Sequence, residues 1–191
     1  MNPSILIALP HYRPGWKAGG PTRTIANLVE HLGDEFLFRI LTSDRDYGDE
    51  RAFPGIEADR WQRVGKADVF YMSLARRDVR AFAHALDATD YDVLYLNSFF
   101  HPQFTLAPLL AYWTGLARRR SCVIAPRGEF ASAALRLKQR KKAAYLGRLV
   151  RSGCTPDFGG RRRARSRPGI SSVISPVSPK TSRSWRTCLR Q

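Results

Sequence analysis

Short apolar runs of strand length alternate along most of the chain with stretches in which apolar residues recur at helical spacing. Strands joined by helices in this way are typical of an open α/β domain with a parallel sheet. We predict strands at residues 5–9, 36–42, 60–64, 69–72, 93–97 and 122–125. We predict helices at residues 22–32, 78–86, 106–116 and 134–150.

The alternation ends near Gly153, and residues 152–191 show almost no periodic apolar spacing. They hold eight Arg, one Lys and a single acid, with eight Ser and four Pro. Such a stretch cannot bury enough apolar surface to offset its ordering entropy. We therefore predict a folded domain at 1–151 and a disordered basic tail at 152–191. The tail carries half of the chain's formal net charge of +16.

Three interpretations of this tail compete. The arginine cluster at 161–167 is typical of an arm that binds nucleic-acid phosphates, and a polar terminus is often merely solvated. We favour a frameshift, because a gene rich in G and C that is read out of frame tends to encode Arg, Ser, Pro, Gly, Trp and Cys in excess. Cys154, Trp185 and Cys188 fit that interpretation better than selection for solubility.

Several classes of protein are excluded by composition. No apolar segment reaches the length of about 18 residues that a membrane span needs, and the run at 5–9 is too short for a signal peptide. Cys122 is the only cysteine of residues 1–151, which excludes a disulfide framework or a cysteine metal cluster there. We therefore expect a protein of the reducing cytoplasm.

The loops that follow the strands are where chemistry is expected, because open α/β sheets bind ligands beyond the carboxyl ends of their strands. The loop at 10–21 reads PHYRPGWKAGGP. Gly19 and Gly20 can bring backbone amides close to a ligand, and Pro21 suits the first turn of a helix whose dipole favours an anion. A phosphate or diphosphate is the physical expectation. The alternative is that the glycines only make a tight turn.

Polar and aromatic side chains follow the strand predicted at 93–97. Asn97 and Ser98 can hydrogen-bond sugar hydroxyls, and the aromatic pair at 99–100 offers apolar faces for a sugar ring. His101 is a candidate catalytic residue, although lone histidines in such places are more often structural or merely exposed.

A charged pair follows the strand predicted at 122–125. Arg127 can hold a phosphate or an acidic group through its planar fork, with Glu129 beside it. A salt bridge between these two neighbours is an equally good interpretation.

Taken together, these segments resemble the amino-terminal half of a family-4 glycosyltransferase. The resemblance is carried by the run 5–9 with its Gly-Gly-Pro turn, by DVLYLNSFF at 92–100, by APRGEF at 125–130 and by the segment at 135–142. It extends from about residue 4 to residue 153. The chain departs from the family pattern at Asn97 and Ser98, where a His-Gly pair often stands, and this weakens any role for His101.

The resemblance implies a B-type fold of two Rossmann-like domains that face each other across a cleft. The first domain would be an open Rossmann-like parallel sheet with helices on both faces, and it would receive the acceptor. Its loop at Gly19 and Gly20 would approach the diphosphate of a nucleotide-sugar donor. Asn97, Ser98, His101, Arg127 and Glu129 would contact the acceptor or its sugar. Neither a cofactor nor an essential metal is expected.

The expected reaction is transfer of a sugar to a glycan or lipid-linked acceptor, as in polysaccharide assembly at the inner face of a bacterial membrane. The family's second domain, which holds the nucleotide, is not recognised in this sequence, so we expect the chain itself to be catalytically inert. The alternative is a basic binding protein. Lys and Arg side chains at 138–151 would then attach it to an anionic membrane surface or, less favoured, to nucleic acid.

Overall fold

The computed structural model describes residues 2–127 and residue 129, and within these residues six strands form one sheet flanked by three α-helices. The strands are β1 (Ser4–Ala8), β2 (Leu37–Ser43), β3 (Trp61–Val64), β4 (Ala67–Met72), β5 (Val93–Leu96) and β6 (Ser121–Ile124). The helices are α1 (Gly20–Leu32), α2 (Val79–Ala88) and α3 (Ala107–Trp113). The helix predicted at 134–150 and the tail at 152–191 lie outside the described residues.

The strands are ordered β3-β4-β2-β1-β5-β6, and all neighbours from β4 to β6 are parallel. The prediction of a wholly parallel sheet is wrong at β3, which runs antiparallel to β4. Only Gly65 and Lys66 separate these strands, and so short a connection closes a hairpin but cannot make the crossover that parallel neighbours need. Gly65 has a φ of 61°, which suits such a turn. The sheet is therefore mixed.

Alternate residues of β1 and of the segment after it point to opposite faces of the sheet. Ile7 and Leu9 lie in one apolar cluster with Ile25 and Val29 of α1. Leu6 lies in a second cluster, which contains buried residues of α2 and α3. Helices therefore cover both faces, and the parallel strands are buried between them.

Local hydrogen bonds set the ends of α2 and α3. Asp78 caps α2, because its side chain accepts from the amide of Ala81 over 2.8 Å. A π-helical turn (Pro102–Leu106) precedes α3. The hydroxyl of Thr114 donates to the carbonyl of Leu110 over 2.7 Å, and Gly115 has a φ of 73°. The left-handed conformation of Gly115 ends the helix, so α3 stops at Trp113, three residues before the predicted limit of 116.

Candidate functional site

The loops after β1, β5 and β6 lie side by side at the carboxyl edge of the sheet. β1 pairs with β5, and β5 pairs in turn with β6, so the ends of three parallel strands adjoin. The three loops in which the sequence predicts ligand contacts therefore meet at one edge. The loop after β2 adjoins them on the other side of β1.

Gly19 and Gly20 have different roles in the loop that joins β1 to α1. Gly19 has a φ of 67° and a ψ of −122°, a conformation that residues with a Cβ rarely adopt. Gly20 begins α1, and a Cβ built on it would meet no atom within 4 Å. The first turn of α1 has no side-chain cap and no acidic residue, which leaves its amides available to an anion. A tight turn explains Gly19 but not Gly20.

Asn97 and Arg127 join the ends of β5 and β6. The Nε of Arg127 donates to Oδ1 of Asn97 over 2.5 Å, and its Nη2 donates to the Tyr95 hydroxyl over 3.2 Å. Asn97 is only 3 % exposed, and its Nδ2 has no hydrogen-bond partner among the described residues. A buried donor without an acceptor costs free energy, so an oxygen of a ligand at this position would relieve that cost.

Glu129 does not pair with Arg127; its carboxylate binds the loop after β5. Its Oε1 accepts from the Ser98 hydroxyl over 2.9 Å, and its Oε2 accepts from the amide of Phe99 over 2.5 Å. The salt bridge between Arg127 and Glu129, one of the two interpretations of the sequence, is therefore not formed within the described residues. Each of the two charged side chains binds the end of β5.

His101 caps the π-helical turn that precedes α3. Its Nδ1 accepts from the amide of Phe104 over 3.0 Å, so the proton of the neutral ring lies on Nε2. Burial lowers the pKa of His101 to about 4, and the neighbouring His11 ring and Arg77 guanidinium act in the same direction. A ring that is neutral at pH 7 with Nδ1 occupied and Nε2 protonated can donate a hydrogen bond but cannot serve as a general base.

Asp46, in the loop after β2, holds the β1–α1 loop in place. The amides of Trp16 and Lys17 donate to its Oδ2 over 2.9 and 3.1 Å, and the amide of Tyr47 donates to Oδ1 over 2.7 Å. A Cβ on Gly15 would lie 2.9 Å from Oδ1, so this close approach requires glycine. Burial acts to raise the pKa of Asp46, but the three amide bonds outweigh it and the pKa is lowered.

A buried ion pair joins the end of β2 to the turn after β4. Oδ1 of Asp44 accepts from Nη2 of Arg77 over 2.5 Å, and both side chains are buried. The Nε of Arg77 donates to the carbonyl of Met72 over 3.1 Å. Burial lowers the pKa of Arg77, and the charge of Asp44 opposes that shift. The polar run 44–46 directly after an apolar strand is the sequence signal that could have located this pair and Asp46.

Comparisons with protein-family models, with curated proteins and with solved structures found no match. The described residues contain no group of three or more His, Cys, Asp or Glu side chains that could hold a metal ion. No helix in the part of the chain described is both long enough and apolar enough to cross a membrane.

Proposed function

We propose that this chain is the acceptor-side domain of a family-4 glycosyltransferase, which transfers a sugar from a nucleotide-sugar donor to a glycan or lipid-linked acceptor. The observation that carries the proposal is the meeting of three motifs at one edge. The motifs at 19–20, 97–98 and 127–129 are distant in sequence, yet their loops follow the neighbouring strands β1, β5 and β6. Sugar transfer needs such convergence, because donor and acceptor must be held close together.

The order of the parallel strands supports a Rossmann-like fold. Without the antiparallel β3, the order is β4-β2-β1-β5-β6, which reverses its direction of growth at β1. Doubly wound sheets bind ligands where the order reverses, and here that point lies between β1 and β5. Gly20 begins the helix that follows β1, and Asn97 directly follows β5, so candidate contacts flank the reversal.

The open end of α1 suits the diphosphate of the donor. Departure of a nucleoside diphosphate places negative charge on the leaving oxygen, and positioned donors stabilise that charge. The amides of the first turn can supply such donors, and the glycine at position 20 leaves room for the phosphates to approach. In this proposal the helix terminus supplies the positive potential, so no metal ion is required.

The groups at the ends of β5 and β6 suit the acceptor. The Nδ2 of Asn97 can donate to a sugar hydroxyl. The Ser98 hydroxyl already donates its proton to Glu129, so the oxygens of these two side chains can accept from sugar hydroxyls. Arg127 keeps a planar guanidinium that can bind an acidic group of a lipid-linked acceptor. His101 contributes by capping the π-helical turn rather than by proton transfer.

A cytoplasmic location with peripheral contact to the inner membrane surface remains part of this proposal. The basic residues at 138–151 and the tail at 152–191, which carry the alternative of a basic binding protein, lie outside the described residues. The described edge favours the transferase, because its loops present amide and hydroxyl groups, and acidic residues in the loop after β2 and at Glu129 offset its basic residues, among them Arg13, Lys17 and Arg127. A site for an anionic surface or for nucleic acid needs a mainly basic face.

Titration of the full chain with uridine diphosphate tests the proposal by NMR. We expect the amide signals of Gly20 and Thr22 to shift, and to shift less with uridine monophosphate. Gly20→Ala places a methyl group in the open space while keeping a backbone that suits alanine, so it should weaken binding several-fold without loss of stability.

Leu116→Ala is the control, because Leu116 is an exposed side chain in the loop before β6, at the opposite edge of the sheet. It should leave uridine diphosphate binding unchanged. If the diphosphate shifts neither amide, or if Gly20→Ala binds it as well as the wild type does, the donor contact is refuted.

A further inference from the structure

Two large aromatic side chains project from the carboxyl edge on different loops. Trp16 lies in the β1–α1 loop and is 73 % exposed, and Tyr47 lies in the loop after β2 and is 66 % exposed. A single exposed aromatic residue is ordinary, but two on neighbouring loops whose backbones meet at one carboxylate give a surface suited to a ligand with an apolar face.

One buried carboxylate fixes both residues. The amide of Trp16 donates to Oδ2 of Asp46 and the amide of Tyr47 donates to Oδ1, so the two main chains lie on either side of the same group. Gly15 allows this approach, since any side chain there would meet Asp46. The backbones that carry the two aromatic side chains are therefore held before a ligand arrives, which reduces the entropy lost on binding.

The ring of Tyr47 also has a fixed neighbour. It meets the ring of His11 edge to face, with centroids 5.7 Å apart. Nδ1 of His11 lies 3.3 Å from the carbonyl of Arg45. Burial lowers the pKa of His11, so the imidazole beside the tyrosine is neutral at pH 7 and can hydrogen-bond a hydroxyl group.

The charges around the pair select the kind of ligand. Asp49 and Glu50 follow Tyr47 on an exposed loop, and Lys17 is paired with Asp49 over 2.5 Å. Lys17 and the exposed Arg51 balance these two carboxylates, so the exposed charges next to the pair give no net attraction for anionic lipid headgroups or nucleic acid. A neutral sugar ring combines an apolar face, which stacks on aromatic rings, with hydroxyl groups that the neighbouring carboxylates and imidazole can bind.

We propose that Trp16 and Tyr47 form a stacking platform for a neutral saccharide, and that this saccharide is the sugar end of the acceptor. The stacking platform itself is argued from the geometry of the two loops. The identity of the saccharide as the sugar end of the acceptor rests on the proposed function, since it takes the domain to be the acceptor side of a transferase.

The test measures binding of the full chain to neutral oligosaccharides of glucose, mannose, galactose and xylose. Saturation-transfer NMR and calorimetry detect that binding. We expect at least one of these sugars to bind, with saturation transferred to its ring protons. Trp16→Ala should weaken that binding about tenfold, which is the loss of one well-formed aromatic contact. Trp16→Phe should restore most of it, and Tyr47→Ala should also weaken it.

Leu74→Ala is the control, because Leu74 is also a largely exposed apolar side chain, 60 % exposed, in the turn after β4. It should bind as the wild type does. The proposal is overturned if none of these sugars binds, or if Trp16→Ala binds them unchanged. It is also overturned if equimolar phosphatidylcholine and phosphatidylglycerol vesicles recruit the wild type but not Trp16→Ala. The diphosphate shift at Gly20 is read separately, so either proposal can fail alone.

Discussion

Arg127 donates from Nε to Oδ1 of Asn97 over 2.5 Å, and this contact connects the segment after β6 to the end of β5. The bond also orients the Asn97 amide, because a guanidinium N–H must face an oxygen. Nδ2 consequently faces away from Arg127, where the described residues offer it no acceptor. The same contact thus stabilises the edge of the sheet and leaves a donor for a ligand.

We expect Arg127→Ala to lower the free energy of unfolding by about 1–3 kcal/mol, because the whole Asn97 amide then lacks a partner. The double variant with Asn97→Ala should cost less than the sum of the two single changes. Urea unfolding of the four proteins measures this coupling. Tyr95→Phe, which removes only the 3.2 Å bond to Arg127, serves as the control and should have a smaller effect. Additive single effects would contradict the contact.

The ion pair between Asp44 and Arg77 should dominate the stability of the carboxyl edge. Asp44→Ala leaves a buried guanidinium without its charge partner, which costs about 3–5 kcal/mol. Glu57→Ala breaks an exposed pair with Arg60 and should cost less than about 1 kcal/mol. Thermal and urea unfolding of both variants provide the comparison. Equal losses would mean that the buried pair is not formed in solution.

Protonation of His101 should make the free energy of unfolding depend on pH in the mildly acidic range. The pKa of His101 is about 4 in the folded protein and 6.5 in a free histidine. Between these values the unfolded chain binds a proton that the folded chain does not, so stability falls as the pH drops through this window.

His101→Asn keeps a side-chain acceptor for the amide of Phe104 but cannot titrate. Its stability should therefore change less than that of the wild type between pH 6.5 and 4. The ring proton signals of His101 in NMR spectra give the pKa directly. Titration of this ring near pH 6.5 would show that the buried cap is wrong.

Asp46 should act at a lower pH. Its pKa lies below the ordinary value of 3.8, so its stabilising contribution is complete above that value and is lost as the pH falls through the lower folded pKa. Asp46→Asn removes the charge from a site with three amide donors, and we expect it to cost about 1–3 kcal/mol at pH 7. The difference from the wild type should shrink below pH 3.8. A difference that is constant with pH would contradict the three amide bonds.

Most strands of the sheet were predictable because they are short, mainly apolar runs, although β3 also holds Gln62 and Arg63. The antiparallel direction of β3 could also have been predicted, since only Gly65 and Lys66 lie between it and β4. The end of α3 at Trp113 could not have been predicted, because Leu106 and Leu116 continue the apolar pattern on both sides of the helix. The π-helical turn depends on His101 accepting from Phe104, a bond that apolar spacing does not reveal.

The candidate site was likewise predictable only in part, since the sequence indicates where its residues lie but not which side chains they contact. Asn97, Ser98, Arg127 and Glu129 stand directly after apolar strands, so their place at the carboxyl edge follows from the sheet. Their pairing could not be read from sequence, because adjacent charges such as Arg127 and Glu129 suggest a local salt bridge. Asp46 and Arg77 act through partners about thirty residues away, so the polar run 44–46 indicates where such bonds lie but not which residues they join.

The hairpin of β3 and β4 also affects how one molecule meets another. β3 has four residues, and its Arg63 is paired with Asp68 of β4 over 3.2 Å. A short, charged strand is a poor template for the backbone of a second chain. This side of the sheet therefore resists the edge-to-edge stacking by which β-rich proteins aggregate.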